Sequence, residues 1–275
     1  MSRALALQPD GKLIVGGSFG AVNGTNRNGI ARLNANGSLD GSFQNGMSGV
    51  INDGGYSGRV EAVTVQPDGK VLIGGYFTTV NGTARTGFAR LDADGALDAG
   101  FSPVTIAGGN VDNTTSVNSI TLQVDGRVFL GGSFSTVNNT ARNNIARLNA
   151  DGSLDVSFNA GTGVIGPIVY ATAIHSDGRL LVGGSFAIVD DAARWCVARL
   201  LGDILAPSLD IALSNGFAIL TWPESAAAWR LQESPDLTVP NSWISVTQPA
   251  VTSGGQISVT VPIATPWKFF RLLSP

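Results

Sequence analysis

One stretch of this 275-residue chain recurs four times, and that recurrence restricts the fold more than any other property of the sequence. "QPDGKLIVGGSFGAVNGTNRNGIARLNANGSLDGSF" runs from Gln8 to Phe43; close copies run from Gln66 to Phe101 and from Gln123 to Phe158, and a shorter one from His175 to Leu200. The equivalent aspartates Asp10, Asp68, Asp125 and Asp177 are 58, 57 and 52 residues apart. Inside every copy, eleven residues separate the first glycine of a GG pair from an arginine (Arg27, Arg85, Arg142, Arg194), and five more reach the next (Arg32, Arg90, Arg147, Arg199). Spacing is constant within the unit and variable only between units. A unit of this size cannot bury an apolar face alone, so the copies must stack as propeller blades or as a solenoid.

Each copy reads as strands. "ALALQ" alternates Leu5 and Leu7 with the small Ala4 and Ala6, and alternation of period two marks a strand. "PDGK" reads as a two-residue hairpin turn, because Asp-Gly supplies positive φ angles. "KLIVGGSF" is apolar on both faces, as suits a strand between two sheets. "VNGT" is an Asn-Gly turn, "GIARLN" a third strand and "SLDGSF" a fourth. Four strands per unit make a propeller blade. The expected fold is all-β: a four-repeat propeller over residues 1–203, closed or partial, with blades at about 1–59, 60–116, 117–168 and 169–203.

The motifs "PDGK", "GGSF", "VNGT", "IARL" and "DGSLD", in that order, resemble the delta-60 repeat of large secreted or surface proteins of environmental bacteria. The resemblance covers about residues 1–200 and implies a β-propeller with no catalytic residues. The fourth copy departs from it: "DGSLD" is missing and the chain runs into "LGDILAP". From Ile204 to Pro275 the repeat stops, and alternating segments are punctuated by "SNG", "SPD", "TVPNS" and "TSGG". They read as a small sandwich of immunoglobulin or fibronectin type III kind. "LTWP", "WRLQ" and "FFRL" resemble the landmarks of C-terminal domains that end exported bacterial proteins, which implies a secreted or cell-surface protein.

Composition excludes several functions. The net charge of −3 offers no basic footprint for nucleic acid or an anionic membrane. A single cysteine rules out an internal disulfide framework, and a single histidine rules out most zinc sites. No run of about 18 apolar residues is present to span a bilayer. "MSRALALQPD" has no apolar signal core, which leaves a cytoplasmic protein or a natural chain that begins earlier.

The candidate chemistry is thin. Asp92, Asp94 and Asp98 lie within seven residues, a spacing compatible with calcium, but Asn34 and Asn36 replace the first two acids in another copy and a hairpin turn explains the pattern more simply. Asp40, Asp98 and Asp155 are better read as carboxylate partners of Arg32, Arg90 and Arg147. The GG pair lacks the lysine and helix start of a phosphate loop and reads as close strand packing. His175 takes the place of Gln8, Gln66 and Gln123, and Cys196 that of Gly29, Gly87 and Asn144, so neither reads as catalytic. The linkers between copies do vary, and loops on a rigid scaffold carry binding residues. Asp53, Tyr56, Asn110, Asp112 and Asn113 are the candidate ligand residues, although free variation of weakly constrained loops is the simpler account of them. Among the C-terminal tryptophans, Trp222 reads as core, and Trp267 is the better candidate for exposure, ahead of Trp229 and Trp243. The leading expectation is a non-enzymatic binding or structural module, without cofactor, for a polysaccharide or a surface protein. Its alternatives are a carboxylate-based hydrolytic propeller and an assembly unit whose open strand edges join chains.

Overall fold

The computed structural model describes residues 1–109, 114–158, 161–175, 178–200, 209–224, 227, 229–236, 242–263 and 268–273. Among them there are strands and turns but no α-helix. The chain divides into two compact units, residues 1–174 with 180–200, and residues 175–179 with 201–275.

In the first unit every copy of the repeat builds a three-stranded antiparallel sheet. An inner strand pairs with a middle strand, and the middle strand with an outer one: Ser2–Leu7, Leu13–Gly17 and Ile30–Leu33 in the first blade. The second comprises Arg59–Val65, Val71–Tyr76 and Phe88–Leu91. The third comprises Ser116–Leu122, Val128–Ser133 and Ile145–Leu148, and the fourth Ile168–Ile174, Leu180–Ser185 and Val197–Leu200. Two sequence expectations are corrected here. "SLDGSF" forms no fourth strand: only Leu39 bridges back to Leu33, because the Asp40 carboxylate accepts the Ser42 N–H and turns the chain. "PDGK" is a three-residue loop, with Gly11 N–H donating to the Gln8 carbonyl at 3.0 Å and Gly11, not Asp10, at positive φ. The "VNGT" hairpins do use two residues at positive φ, Asn23 with Gly24 and Asn81 with Gly82.

A second set of small sheets binds consecutive blades. The linker strand Val50–Ile51 pairs with the hairpin strand Thr79–Val80 of the second blade, Ile106–Ala107 with Thr136–Val137 of the third, and Val164–Ile165 with Ile188–Val189 of the fourth. The first blade's hairpin, Ala21–Val22 with Thr25–Asn26, stands as two strands.

The GG pair explains how closely the blades approach. A Cβ on the first glycine would meet the next blade's inner strand: Val60 Cγ1 at 2.6 Å from Gly16, Val117 Cγ1 at 2.7 Å from Gly74, Val169 Cγ1 at 2.6 Å from Gly131. The second glycine faces a carbonyl of its own blade's inner strand, Arg59 O for Gly75 and Ser116 O for Gly132, beside a bulge in that strand. Apolar clusters fill the three junctions, with Ile14 and Ile30 against Val60 and Ile73, Leu72 and Phe88 against Val117 and Leu130, Phe129 and Ile145 against Val169 and Val182. Inner strands of consecutive blades pack on one another, and the first and fourth share no comparable packing among the described residues. Among the described residues the four blades form a series whose first and last members do not pack on one another, which is the partial form of the expected propeller.

The second unit has a four-stranded sheet, ordered Asp210–Ser214, Phe217–Pro223, Gln256–Pro262, Val251–Ser253, and a three-stranded one, ordered Ile244–Ser245, Arg230–Ser234, Phe269–Leu273. Leu220, Trp222 and Val259 of the first share one core with Leu231 and Leu272 of the second.

Gly74→Ala should cost about 1–3 kcal/mol by overpacking a junction, which lowers the melting temperature by about 2–12 °C for a domain of this size. Calorimetry on the purified variant checks this; an unchanged melting curve would contradict the close approach.

Candidate functional site

The repeated carboxylates have definite partners. Arg32 Nε donates to Asp40 Oδ2 at 2.8 Å, Arg90 Nε to Asp98 Oδ2 at 2.7 Å, and Arg147 Nε to Asp155 Oδ2 at 2.8 Å. Spacing makes this pairing local: the outer strand ends, the chain turns at the NANG-type loop, and the aspartate eight residues on returns beside its arginine. The other oxygen, Oδ1, accepts the N–H of Ser42, Gly100 or Ser157, which closes the following turn. A lysine from the middle strand's start completes two of the sites, Lys12 Nζ at 2.9 Å from Asp40 and Lys70 Nζ at 2.8 Å from Asp98. Each guanidinium also lies over the phenylalanine that closes the repeat, at 4.9 Å for Arg32 and Phe43, 4.2 Å for Arg90 and Phe101, and 5.1 Å for Arg147 and Phe158.

These surroundings keep the acids ionised. The Ser42 hydroxyl, with Lys12, the Ser42 N–H and Arg32, holds the Asp40 carboxyl well below the usual range against the effect of burial. Burial pushes the Asp98 carboxyl up, but Lys70, the Gly100 N–H and Arg90 outweigh it and bring it down to about 2. At Asp155, burial is likewise outweighed by Ser157 and Arg147, and the carboxyl is lowered. The acids weighed as a calcium loop are committed in the same way: Asp92 and Asp98 both accept from Lys70, and Asp94 accepts the Ala96 N–H of its own turn. Among the described residues no three acidic, histidine or cysteine side chains are grouped as metal ligands. His175 flanks its hairpin turn, donating its N–H to the Arg179 carbonyl, and Cys196 occupies the left-handed position at φ 62° that Gly29, Gly87 and Asn144 hold elsewhere.

The ligand candidates divide. Asp53 and Tyr56 sit in the loop after Val50–Ile51, where Asn52 Oδ1 accepts the N–H groups of Gly54 and Tyr56. Tyr56 is 75% exposed. Asn110, Asp112 and Asn113 lie outside the described residues, as does Trp267. Sequence reasoning missed a groove of about 370 Å³ at the equivalent place after Val164–Ile165, lined by Asn143, Asn144, Val164, Ile165, Gly166 and Pro167. The buried Asn144 shapes it by donating to the Val164 and Gly166 carbonyls at 2.9 and 2.7 Å. Its signal in the sequence was an asparagine where two copies have glycine. In the second unit Trp222, Trp229, Arg230 and Gln248 border a groove of about 380 Å³, and Arg271 stacks on Trp243 at 4.2 Å.

Asp98→Asn leaves Arg90 and Lys70 facing a neutral group, and removing one partner of a buried pair costs about 3–5 kcal/mol. Chemical denaturation of the variant measures the loss. The lowered carboxyls stabilise the fold fully above their ordinary value of 3.8, and this stability drains away as pH falls from there toward about 2 for Asp98. Melting temperature in wild type should drop steeply across that window, and Asp98→Asn should flatten the drop.

Comparison with known proteins agrees with this geometry. The model of a family described as a domain of unknown function (DUF5122) beta-propeller matches residues 8–43, 66–101, 123–158 and 175–203. No functionally curated protein matches the sequence. Among solved structures the chain aligns with the extracellular domain of a hybrid two-component system from B. thetaiotaomicron at 11% identity and a TM-score of 0.38, over 99% of this chain and 36% of that one. It aligns with a protein of unknown function from Bacteroides caccae at 12% identity and TM-score 0.36, over 80% of this chain and 69% of the other. A novel alpha-L-arabinofuranosidase from Clostridium thermocellum gives 11% and 0.38, over 95% and 94%. The chain thus spans about a third of the first of these, and likeness at this level carries no functional argument. The four repeated segments, with their recurrent sheets, thus match a β-propeller repeat family.

Proposed function

We propose that this chain is a non-enzymatic binding and structural repeat protein, exported or held at the cell surface, whose blades present a loop face to a polysaccharide. In this reading residues 204–275 form a sandwich of immunoglobulin or fibronectin type III kind, and no cofactor is required. The observation that carries it is the fate of the repeated carboxylates. A carboxylate-based glycosidase needs one carboxyl that keeps its proton and a second free to act as base or nucleophile. Asp40, Asp98 and Asp155 are each ionised and tied to an arginine, so the acids that recur serve the fold. The residues left for recognition are those outside the repeat: Tyr56 offers an exposed ring for stacking on a sugar, and Asp53 beside it a hydrogen-bond acceptor. Export is supported by the resemblance of "LTWP", "WRLQ" and "FFRL" to the ends of exported proteins.

Affinity electrophoresis through gels containing bacterial and plant polysaccharides tests the reading. At least one polysaccharide should retard the wild type, Tyr56→Ala should weaken that binding about tenfold, a loss of about 1.4 kcal/mol, and no reducing sugar should be released. Release of reducing sugar that Asp53→Asn abolishes would instead establish a hydrolase.

A further inference from the structure

The same blade-to-blade junction is built three times inside the first unit, and each end of the series carries one unmatched half of it. On the fourth blade, Gly183 occupies the place of Gly16, Gly74 and Gly131. Where a Cβ on those three would strike a β-branched side chain of the next blade within 2.7 Å, a Cβ on Gly183 would meet, among the described residues, the Cys196 carbonyl alone, at 4.0 Å. Val197, cross-strand partner of Gly183, is 68% exposed, although its counterparts Ile30, Phe88 and Ile145 are fully buried in their junctions. On the first blade, Leu5 and Leu7 stand where Val63 and Val65 insert into the preceding blade, and they are 61% and 72% exposed. Behind them Leu13 and Val15 are half-buried, while their counterparts Val71 and Ile73 are fully buried. The first hairpin also lacks the third strand that a preceding linker supplies to each of the others.

One end is thus a socket and the other a set of projecting leucines, and within the chain such a pair forms a packed junction every time the two meet. We propose that a second copy of this chain covers these faces, head to tail, with Leu5 and Leu7 of one protomer seated over Gly183 and Val197 of the other. The occupant follows from continuity with the junction already present: the sequence after Leu200 carries no further copy of the repeat, and the first blade of another chain offers an inner strand with Leu5 in the place of Val63, Ile120 and Thr172, which come within 3.2 Å of a Cβ on the socket glycine, and with the smaller Ser2 in the place of Val60, Val117 and Val169. The contact is heterologous, so it closes into a ring or continues as a chain. Two copies bring the blades to about eight, within the range of closed propellers. This inference goes beyond the loop-face reading and is independent of its ligand.

Analytical ultracentrifugation of the 275-residue chain from ~1 to ~100 μM, the range a micromolar contact requires, should show multiples of 28.3 kDa, with a dimer if the ring closes. Gly183→Phe fills the socket and Leu5→Asp charges the projecting end; each alone should weaken association at least ~10-fold. Near-ultraviolet circular dichroism establishes that each variant is folded; where one is not, Val197→Asp replaces Gly183→Phe and Leu7→Asp replaces Leu5→Asp, so that each face keeps its own variant. Mixing the two variants should restore a dimer, because the intact first blade of Gly183→Phe still fits the intact fourth blade of Leu5→Asp. A wild type that is monomeric throughout overturns the proposal and assigns the faces to a blade from another polypeptide. Association that survives both substitutions, or that mixing does not restore, overturns it too, placing the contact on a different or a symmetric surface.

Discussion

The buried arginine of the outer strand is the interaction around which each blade is organised. Burying a guanidinium is costly unless its charge is matched and its donors are used. The repeat meets both conditions by spacing: an aspartate eight residues on supplies the charge, a phenylalanine eleven residues on supplies the face, and a carbonyl of the following blade takes a further donor. Arg32 reaches Ala93 O and Arg90 reaches Ala150 O, so the residue that finishes one blade also holds the next. A single side chain therefore links the inside of a repeat to the contact between repeats, which is why spacing inside the unit is constant while the linkers vary.

The double glycine meets the same need from the other edge of the blade. One glycine admits the next blade's valine and its neighbour admits a bulge of the inner strand in the same sheet. The two requirements act on adjacent residues that face opposite sides of one strand, so a GG pair is the compact solution. Thr64 and Thr121 add hydrogen bonds between inner strands, to the carbonyls of Ile120 and Thr172. Blade contact is thus set at the inner edge by backbone proximity and at the outer edge by the arginine.

Much of this was legible in the sequence. Fixed spacing within the repeat announced the blades, and the eight-residue offset between Arg90 and Asp98 brings the pair together because only one turn intervenes. Local turn chemistry was read less well. Asp10 reads as part of a two-residue turn and Asp40 as part of a strand, but both carboxylates accept N–H groups two residues on, which accompanies a three-residue loop at "PDGK" and a turn in place of the expected fourth strand. The linker strands were not legible at all. Val50–Ile51 and Val164–Ile165 are two residues long and have no periodicity of their own; they become strands only because a hairpin of the next blade offers them an edge. The open ends were equally hidden, because whether the first and last copies meet depends on the angle between blades and not on any residue type.

The division of labour inside the repeat bears on function. Its charged residues are spent on each other, its glycines on close approach and its asparagines on hairpins, so little of the recurring pattern remains to contact anything else. The fourth copy is informative because it breaks this closure: the aspartate and the phenylalanine are absent from its pattern, and Arg199 is exposed where Arg147 is fully buried. By its sequence pattern the fourth copy omits the aspartate and phenylalanine that engage the arginine in the other three. The same residues that identify the repeat therefore also mark where the series stops, and they leave recognition to the loops and to the two end faces.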